Sequence, residues 1–320
     1  MLMGTFLWGF NAQAITIQPL KGLDMANDFV VGPGRTVLNI NPGETSIKSI
    51  SLTNRFTEER RFKIEFDDFT SPDNPNDSIK LLNGEKGPYS LKDFISVETT
   101  TFVLQPADRA DVPVKISIPK NTPPGGLYGA VMITTQSTDP LEVAKENEVG
   151  GGISIAGRIA SLFYVRVNGD VKEDGSLTDF STDKMVYNSS PIKFNYVYKN
   201  SGSVFEGPSG LIEIKNLYGT TVEQIPISQY FVMPGADRLE TKVWDRGFTM
   251  GRYTATIKLT RGYGSTIDQK TITFWVMPWK VVAGILIGLF LLLVIIRGIR
   301  IWFRKNFEYK GGKNKKAPPA

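Results

Sequence analysis

The sequence predicts an all-β protein, with two tandem β-sandwiches followed by a single C-terminal transmembrane helix. Three observations support this prediction. Apolar residues alternate with period two along most of the chain, two blocks of sequence recur in the same order, and an uncharged apolar run lies near the C-terminus. Alternation is expected of sandwich strands, because each strand buries one face and exposes the other.

The alternating segments are separated by turns that contain glycine and proline. Residues 47–52, 62–66 and 112–118 alternate most regularly, and the turn Asn41-Pro42-Gly43-Glu44 precedes the first of them. One helical turn is expected, near residues 90–94. Short strands with frequent turns are typical of immunoglobulin-like sandwiches. We expect one at residues 28–168 and another at 174–276, with the polar segment 168–176 between them.

Two short blocks of the first sandwich recur in the second. Residues 102–109 match 231–238 without a gap, 129 positions on, and Gly126–Ala130 matches Gly251–Ala255, 125 positions on. Chance similarity between β motifs is the alternative to a duplicated module. The second block has the form Gly-x-Tyr-x-Ala in both copies.

The Gly-x-Tyr-x-Ala block can be assigned a structural role. In sandwiches, a tyrosine at a sheet corner can donate to the upstream backbone, with a small residue two positions later facing the core. We therefore expect Tyr128 and Tyr253 to be structural, each bonded to backbone and packed on its own sandwich, with Gly126 and Gly251 as part of the motif. The rival interpretation makes Tyr128 an exposed aromatic that contacts a ligand.

The transmembrane helix is expected at residues 279–296. Val281–Ile296 holds sixteen uncharged residues, and adding Trp279 and Lys280 gives eighteen. At about 1.5 Å per residue, this is about 27 Å of helix, close to the thickness of a hydrocarbon core. Trp279 and the Trp302 beyond the run suit the headgroup level. Gly284 and Gly288 form a G-x-x-x-G motif, which would allow homo-oligomers to form through the helix.

Charge sets the expected orientation. The tail, residues 297–320, begins with Arg297 and Arg300 and carries eight basic residues against one acidic residue. Basic residues next to a span stay in the cytoplasm. Without the tail, 37 basic and 32 acidic residues become 29 and 31, so the ectodomain is near neutral. The basic pI therefore gives no reason to expect nucleic-acid binding, and the tail contacts membrane lipid at most.

The N-terminus predicts export. Residues 1–10 are apolar, and Ala12-Gln13-Ala14 has the form of a signal-peptidase site, so residues 1–14 are interpreted as a signal peptide. No Lys or Arg precedes the apolar run, which leaves a buried strand or a start codon placed too late as alternatives. Export would make residues 15–278 an extracytoplasmic domain of a cell-membrane protein.

Composition limits the chemistry. The chain has no Cys and no His, which excludes disulfides, thiolate sites and His-dependent catalysis. We expect no enzyme activity, no cofactor and no metal site. The loop at 69–88 and the loop at 136–152 are long for a compact sandwich, and loops of this length are either mobile or functional. Four aspartates and two asparagines gather near the first loop, but their spacing fits no calcium loop, so we expect a solvated loop there. They are Asp67, Asp68, Asp73, Asp77, Asn74 and Asn76.

Several short motifs resemble the WxL-interacting protein family of bacterial surface proteins. The motifs are Leu38-x-x-x-Pro42-Gly43-Glu44, Leu52-Thr53-Asn54 and the segment Pro123–Gly129, within the order signal, two sandwiches, span and basic tail. The resemblance implies two immunoglobulin-like domains on one anchor, partnered with WxL-type surface proteins. In that family the first domain is associated with peptidoglycan and the second with host proteins. No binding residue is carried over from the resemblance.

The expected function is a non-catalytic binding or scaffold protein of the bacterial cell surface. Exported tandem sandwiches on a single anchor present strand edges and loops to partners. The partner would be a cell-surface protein or a cell-wall polymer. The alternative is an accessory subunit of a membrane-embedded secretion or pilus assembly. A carboxylate-dependent enzyme acting on the cell wall is a third class, but the sequence shows no pair of acids suited to that role.

Overall fold

The computed structural model describes residues 14–72, 79–137 and 157–308. It confirms the predicted fold class, since the described residues are mostly β-strands with one long C-terminal helix. Residues 1–13 of the predicted signal peptide, most of the 136–152 loop and the end of the basic tail lie outside the described residues, as do Asp73, Asn74, Asn76 and Asp77.

The first sandwich consists of two sheets. Its strands are β1 Thr16–Pro19, β2 Phe29–Gly32, β3 Arg35–Ile40, β4 Thr45–Asn54, β5 Arg60–Thr70, β6 Lys80–Leu81, β7 Ile95–Ser96, β8 Thr101–Leu104, β9 Asp108–Ser117, β10 Gly125–Ser137 and β11 Arg158–Val167. One sheet has the order β1-β9-β4-β2, with β7 also on β9. The other, called here the junction sheet, has the order β3-β11-β10-β5-β6, with β8 also on β5. A 3₁₀ turn at Lys92–Phe94 falls within the expected helical turn.

The chain crosses from one sheet to the other between β2 and β3. β2 pairs with β4, whereas β3 pairs in parallel with β11. The crossing lies at Pro33-Gly34, where proline has no N–H with which to continue a ladder. β1, which pairs with β9, precedes residue 28, so this sandwich includes residues outside the predicted range.

The second sandwich also has two sheets. Its strands are β12 Gly175–Thr182, β13 Val186–Tyr187, β14 Ile192–Asn200, β15 Ser209–Asn216, β16 Thr221–Ile227, β17 Asp237–Trp244, β18 Gly251–Thr260 and β19 Ile267–Val276. One sheet has the order β12-β14-β17 and the other β13-β19-β18-β15-β16. The inward side chains of β14 and β18 fill its core, including Phe194, Tyr196 and Ile257.

The central strand of the junction sheet, β10, is buried on both faces. Val131 and Ile133 of β10 point into the core of the first sandwich, while Tyr128, Ala130 and Met132 of the same strand belong to a second cluster that continues into the second sandwich. Side chains alternate between the two faces of a strand, so one strand can serve both clusters. A strand buried on both faces is continuously apolar.

Two buried carboxylates, Asp67 and Asp68, organise the segment after β5, which corrects the expectation of a solvated loop for these two residues. Asp67 is 3% exposed and accepts from the N–H groups of Asn83 and Gly84, both at 2.9 Å. Asp68 is fully buried and accepts from the N–H groups of Leu91 and Lys92, at 3.0 and 2.9 Å. These bonds satisfy backbone donors that would otherwise be buried alone. They hold residues 79–92 against the junction sheet.

The C-terminal helix, α1, runs Trp279–Glu308 and passes the predicted end of the span at residue 296. The twelve residues after Ile296 contain no proline and include five good helix formers, three arginines, one lysine and one glutamate, so nothing in the sequence forces the helix to end there. Residues Trp279–Lys305 form a segment long and apolar enough to cross a membrane, and it is not buried against the sandwiches. The helix is compatible with a single-pass anchor.

Candidate functional site

An aromatic cluster joins the two sandwiches. Tyr128 and Tyr164, on the outer face of the junction sheet, pack on Phe205 of the second sandwich, with ring centroids 6.2 and 5.4 Å apart. Phe231 lies 4.9 Å from both Tyr164 and Phe205. The guanidinium of Arg35, on β3, lies 4.2 Å from the centroid of the Phe231 ring. Buried aromatic pairs and such a cation–π contact stabilise the packing of one sandwich on the other.

Polar contacts reinforce the same junction. The Gly126 N–H donates to the Ser203 carbonyl at 3.1 Å, and the Ser203 N–H donates to the Lys172 carbonyl at 2.8 Å. Residues 168–174, between β11 and β12, form the linker of the two sandwiches, and Arg166 of β11 forms an ion pair with Glu173 of this linker at 2.5 Å. The linker is therefore held by both sandwiches.

Tyr128 lies within this junction. Its ring packs on Tyr164 of its own sandwich and also on Phe205 of the second, which corrects its assignment as a corner tyrosine. Its side chain is fully buried, and its ring also contacts Tyr89 at 5.7 Å. Its hydroxyl forms no hydrogen bond of standard geometry with the described residues. Burial raises the pKa of the Tyr128 hydroxyl well above its ordinary value, and the nearby backbone of Phe205 acts in the opposite direction. The rival interpretation, an exposed Tyr128 on a loop, also disagrees with this burial.

Gly126 is required by the position of that ring. A Cβ on Gly126 would lie 2.0 Å from the Tyr128 hydroxyl oxygen and 2.6 Å from the ring carbon that bears it. Residues two apart on a strand share a face, so the ring folds back over the glycine. The Gly-x-Tyr spacing here reflects packing at the junction.

Tyr253 takes a different position. Its ring packs inside the second sandwich, 5.2 Å from Trp244 and 5.8 Å from Phe274. Its hydroxyl donates to the carbonyl of Met250 at 3.3 Å, an upstream backbone contact of the kind a corner tyrosine makes. Gly251 has φ +117°, which is unfavourable for a residue with a Cβ, and open space around it. Glycine is therefore favoured at position 251 by the backbone conformation and not by a lack of space.

A cleft of about 300 Å³ opens beside the aromatic cluster, between the two sandwiches. One wall is formed by Val37 and Asn39 of β3, and the other includes Phe231, Gln229 and Tyr263. Val37 is 45% exposed although it is apolar. The cleft thus has apolar and polar groups on facing walls, as binding sites do.

Glu206 is one of the residues that line this cleft, and it is 3% exposed. Its carboxylate accepts from the Tyr198 hydroxyl at 2.7 Å and from the Asp174 N–H at 2.9 Å. Burial raises the pKa of Glu206, although these two hydrogen bonds lower it in part. The carboxylate is engaged in structural contacts. In the described part of the chain, no group of three or more acidic side chains is arranged to hold a metal ion.

The outer edge of β3 runs along this cleft, and no strand of the described residues pairs with it. The Leu162 N–H donates to the Gly34 carbonyl and the Asn168 N–H donates to the Ile40 carbonyl, both at 3.0 Å. In a parallel ladder alternate residues bond to the same neighbour. Between those two bonds, Thr36, Leu38 and Ile40 therefore direct their backbone groups toward β11, whereas Arg35, Val37 and Asn39 direct theirs outward.

This edge carries little protection against pairing. Proteins commonly protect edge strands with charges or proline. β16 contains Pro226, and β17 carries Arg238, Glu240 and Lys242. β3 has a single charge, at Arg35, whose guanidinium packs on the Phe231 ring, and its residues 36–40 contain neither a charge nor a proline. The edge of β3 is thus suited to pair with another strand.

The predicted anchor residues all lie on α1. Trp279 begins the helix, and Gly284 and Gly288 are open, with no atom within 4 Å of a Cβ added at either position. Arg297 and Arg300 are exposed and still helical, so the basic segment continues the helix. These residues are remote in sequence from the cleft.

Sequence reasoning missed the junction, the edge of β3 and Glu206. One signal for the junction was present. Residues 127–133 of β10 are apolar at every position apart from glycine, which is typical of a strand covered on both faces. Nothing in the sequence indicated which residues would cover the outer face.

No family model and no curated protein matches the chain. The resemblance to the WxL-interacting family therefore gains no support, although the immunoglobulin-like fold behind it is present.

Solved structures with a similar fold include fimbrial chaperones. The class 5 fimbriae chaperone CfaA is 12% identical, with 77% of this chain and 99% of that chain covered and a TM-score of 0.39. The CupB2 chaperone of Pseudomonas aeruginosa is 11% identical, with 77% and 100% covered and a TM-score of 0.36. The CsuC–CsuE chaperone–tip subunit complex of Acinetobacter baumannii gives 10% identity, 67% and 89% coverage and a TM-score of 0.36. At these scores they establish no function for this chain.

Proposed function

We propose that the chain is a membrane-anchored, non-catalytic binding protein that holds an extended segment of a partner polypeptide along the edge of β3. The observation that carries the proposal is the row of outward backbone groups at Arg35, Val37 and Asn39, beside the cleft between the sandwiches. An added strand would complete the hydrogen bonds of this edge, which is a common way of binding peptides.

Side-chain contacts in the cleft would select one register for the bound segment. Side chains of an added strand alternate between faces. Those on the outer face of the junction sheet would meet Val37 and Phe231, which favour apolar side chains, and Gln229 and Tyr263, which offer hydrogen bonds. Backbone pairing would supply affinity and these side-chain contacts specificity.

This geometry favours a polypeptide over a cell-wall polymer, because a polysaccharide cannot form a β-ladder with β3. A cell-surface protein, such as the WxL-type partner implied by the resemblance, and a subunit of a secretion or pilus assembly both remain compatible with it. The engaged carboxylate of Glu206 and the lack of His and Cys support a non-catalytic role.

The location is part of the proposal. α1 is the anchor, the basic segment from Arg297 onward lies in the cytoplasm, and both sandwiches are outside. A protease added to intact cells or protoplasts would then remove residues before Trp275 and spare the tail.

Site-specific photocrosslinking in cells tests the binding edge. A photoreactive amino acid is placed at Val37, and at Val243 of β17 as a matched control, since these valines are 45% and 50% exposed on edge strands of different sandwiches. We expect a discrete polypeptide adduct from position 37 and none from 243. Adducts from both positions alike, or an adduct at 37 that contains glycan and no polypeptide, would contradict the proposal.

A further inference from the structure

The end of the second sandwich next to α1 carries a group of exposed apolar side chains, called here the basal patch. Its members are Leu217, Tyr218, Phe248, Met250, Trp275 and Met277, and they are 44% to 88% exposed. Five of them border one surface depression of about 380 Å³, and Met277 is two residues beyond Trp275. Exposed apolar groups gathered in this way mark an interaction surface.

The fold places these residues at one end of the sandwich. Gly251, at the start of β18, is paired with Val276, at the end of β19, and Tyr253 is paired with Asn216, at the end of β15. The loop that holds Phe248 and the turn that holds Tyr218 therefore lie beside the point where the chain leaves for the helix.

The length of the connection limits how far this end can stand from a membrane. Only Met277 and Pro278 separate Val276 from Trp279, the first residue of α1. Three peptide steps of about 3.8 Å span at most about 11 Å. The headgroup layer is about 5–8 Å thick on each side of the hydrocarbon core. The connection therefore keeps the end of β19, beside the basal patch, within about 11 Å of the first residue of α1.

The chemistry of the patch suits that layer. Tyrosine and tryptophan prefer the membrane interface, because their rings are apolar and their polar atoms remain hydrated. Arg246 and Arg252 border the same depression and are exposed, so they can reach lipid phosphates. We propose that the basal patch is inserted in the headgroup layer of the membrane that α1 crosses, so that the second sandwich stands on the bilayer. This inference rests on the proposed anchoring by α1.

Spin labels on the full-length chain in vesicles test the inference. The chain has no cysteine, so single cysteines can be introduced at will. Labels replace Tyr218 and Phe248 in the patch, Ser265 at the opposite end of the sandwich, and Phe290 in the span, all of them exposed. The vesicles contain phosphatidylcholine and phosphatidylglycerol. Each label is measured for collision with oxygen, which enters lipid, and with a nickel chelate, which stays in water.

We expect collision with nickel at positions 218 and 248 to be at least about threefold lower than at 265, with oxygen collision retained, because an interfacial label is partly shielded from water. Equal nickel collision at 218, 248 and 265, with the 290 label inside the bilayer, would overturn the inference and leave the anchor intact. Labels at 218 and 248 shielded from both reagents would show protein covering the patch and would also overturn it. A water-exposed label at 290 would remove the anchor and the inference together.

Discussion

The two Gly-x-Tyr-x-Ala segments have the same sequence pattern and opposite orientations. In the second sandwich, Tyr253 and Ala255 face the core of their own domain. In the first, Tyr128 and Ala130 lie on the outer face of β10, and Val131 and Ile133 fill the core instead. A shift of one residue exchanges the faces of a strand. A matched motif therefore fixes the spacing of residues on one face of a strand and leaves open whether that face is the inner or the outer one.

The two tyrosines therefore have different structural roles. Tyr253 stabilises the second sandwich, close to the membrane helix. Tyr128 joins the first sandwich to the second, and the same packing forms one side of the cleft along β3. We therefore expect matched substitutions in the two segments to affect different parts of the molecule.

Truncation of the tyrosines gives the largest expected effects. Tyr128→Ala and Tyr253→Ala should each lower the free energy of unfolding by about 3–5 kcal/mol, because each removes a buried ring. Hydrogen exchange separates the two variants. Tyr128→Ala should accelerate exchange at residues 203–207, where the sandwiches meet, and Tyr253→Ala should accelerate it in β18 and β19. Unchanged exchange at 203–207 in the Tyr128 variant would argue against a joining role.

Double-mutant cycles measure how strongly Gly126 and Gly251 are each coupled to the tyrosine two residues on. Gly126→Ala should cost about 1–3 kcal/mol, because the new methyl overlaps the Tyr128 ring, and Gly251→Ala about 1–2 kcal/mol, because of its positive φ. A smaller side chain at position 128, as in Tyr128→Leu, should relieve the first cost. Tyr253→Leu should leave the second cost unchanged. Denaturant unfolding of the singles and doubles measures the coupling, and additive effects at positions 126 and 128 would contradict the steric explanation.

Removal of the tyrosine hydroxyl groups should have smaller effects, with a loss of stability at Tyr253 and none at Tyr128. Tyr253→Phe should cost about 0.5–1 kcal/mol, since it removes one hydrogen bond to Met250. Tyr128→Phe should cost nothing measurable or stabilise the protein, because its buried hydroxyl has no partner of standard geometry in the described part of the chain. Melting temperatures of both variants check this. A clear loss at Tyr128 alone would show that its hydroxyl is bonded after all.

Two glutamates of the second sandwich should change the stability of the protein with pH in opposite directions. Burial raises the pKa of Glu206, at the cleft, above 4.5, so its contribution to stability is present below pH 4.5 and is lost as pH rises through the raised value. Hydrogen bonds from Thr221 and Lys258 lower the pKa of Glu213, so its contribution is present above pH 4.5 and is lost as pH falls through the lowered value.

Unfolding free energies of the wild type, Glu206→Gln and Glu213→Gln measured between pH 3 and 8 test these signs. The wild-type value minus that of Glu206→Gln should fall as pH rises above 4.5, and the difference for Glu213→Gln should fall as pH decreases below 4.5. Slopes of the same sign for both glutamates would contradict the assignments.

The sequence predicted the sandwiches and the helix because their signals are local. Alternation at residues 112–118 and sixteen uncharged residues from Val281 each describe one element. The position of Tyr128 could not be predicted in this way, since it depends on Phe205, 77 residues on in the chain. The roles of Asp67 and Asp68 depend equally on backbone donors 16 to 24 residues away. The exposed edge of β3 could not be predicted either, because the sequence does not show which strand pairs with β11.

The measurement that tests the proposed function most directly is partner capture by two variants of Val37. Val37→Pro removes an outward N–H without removing a bond to β11, because proline is tolerated where the N–H of an edge strand faces away from the sheet. Val37→Ala removes most of the side chain and keeps the N–H. Capture is measured in cells with the photoreactive group at Asn39, and folding is checked by the melting temperature. We predict that Val37→Pro loses the adduct and Val37→Ala keeps most of it, with both variants folded. A folded Val37→Pro variant that captures its partner as well as the wild type would contradict binding along this edge.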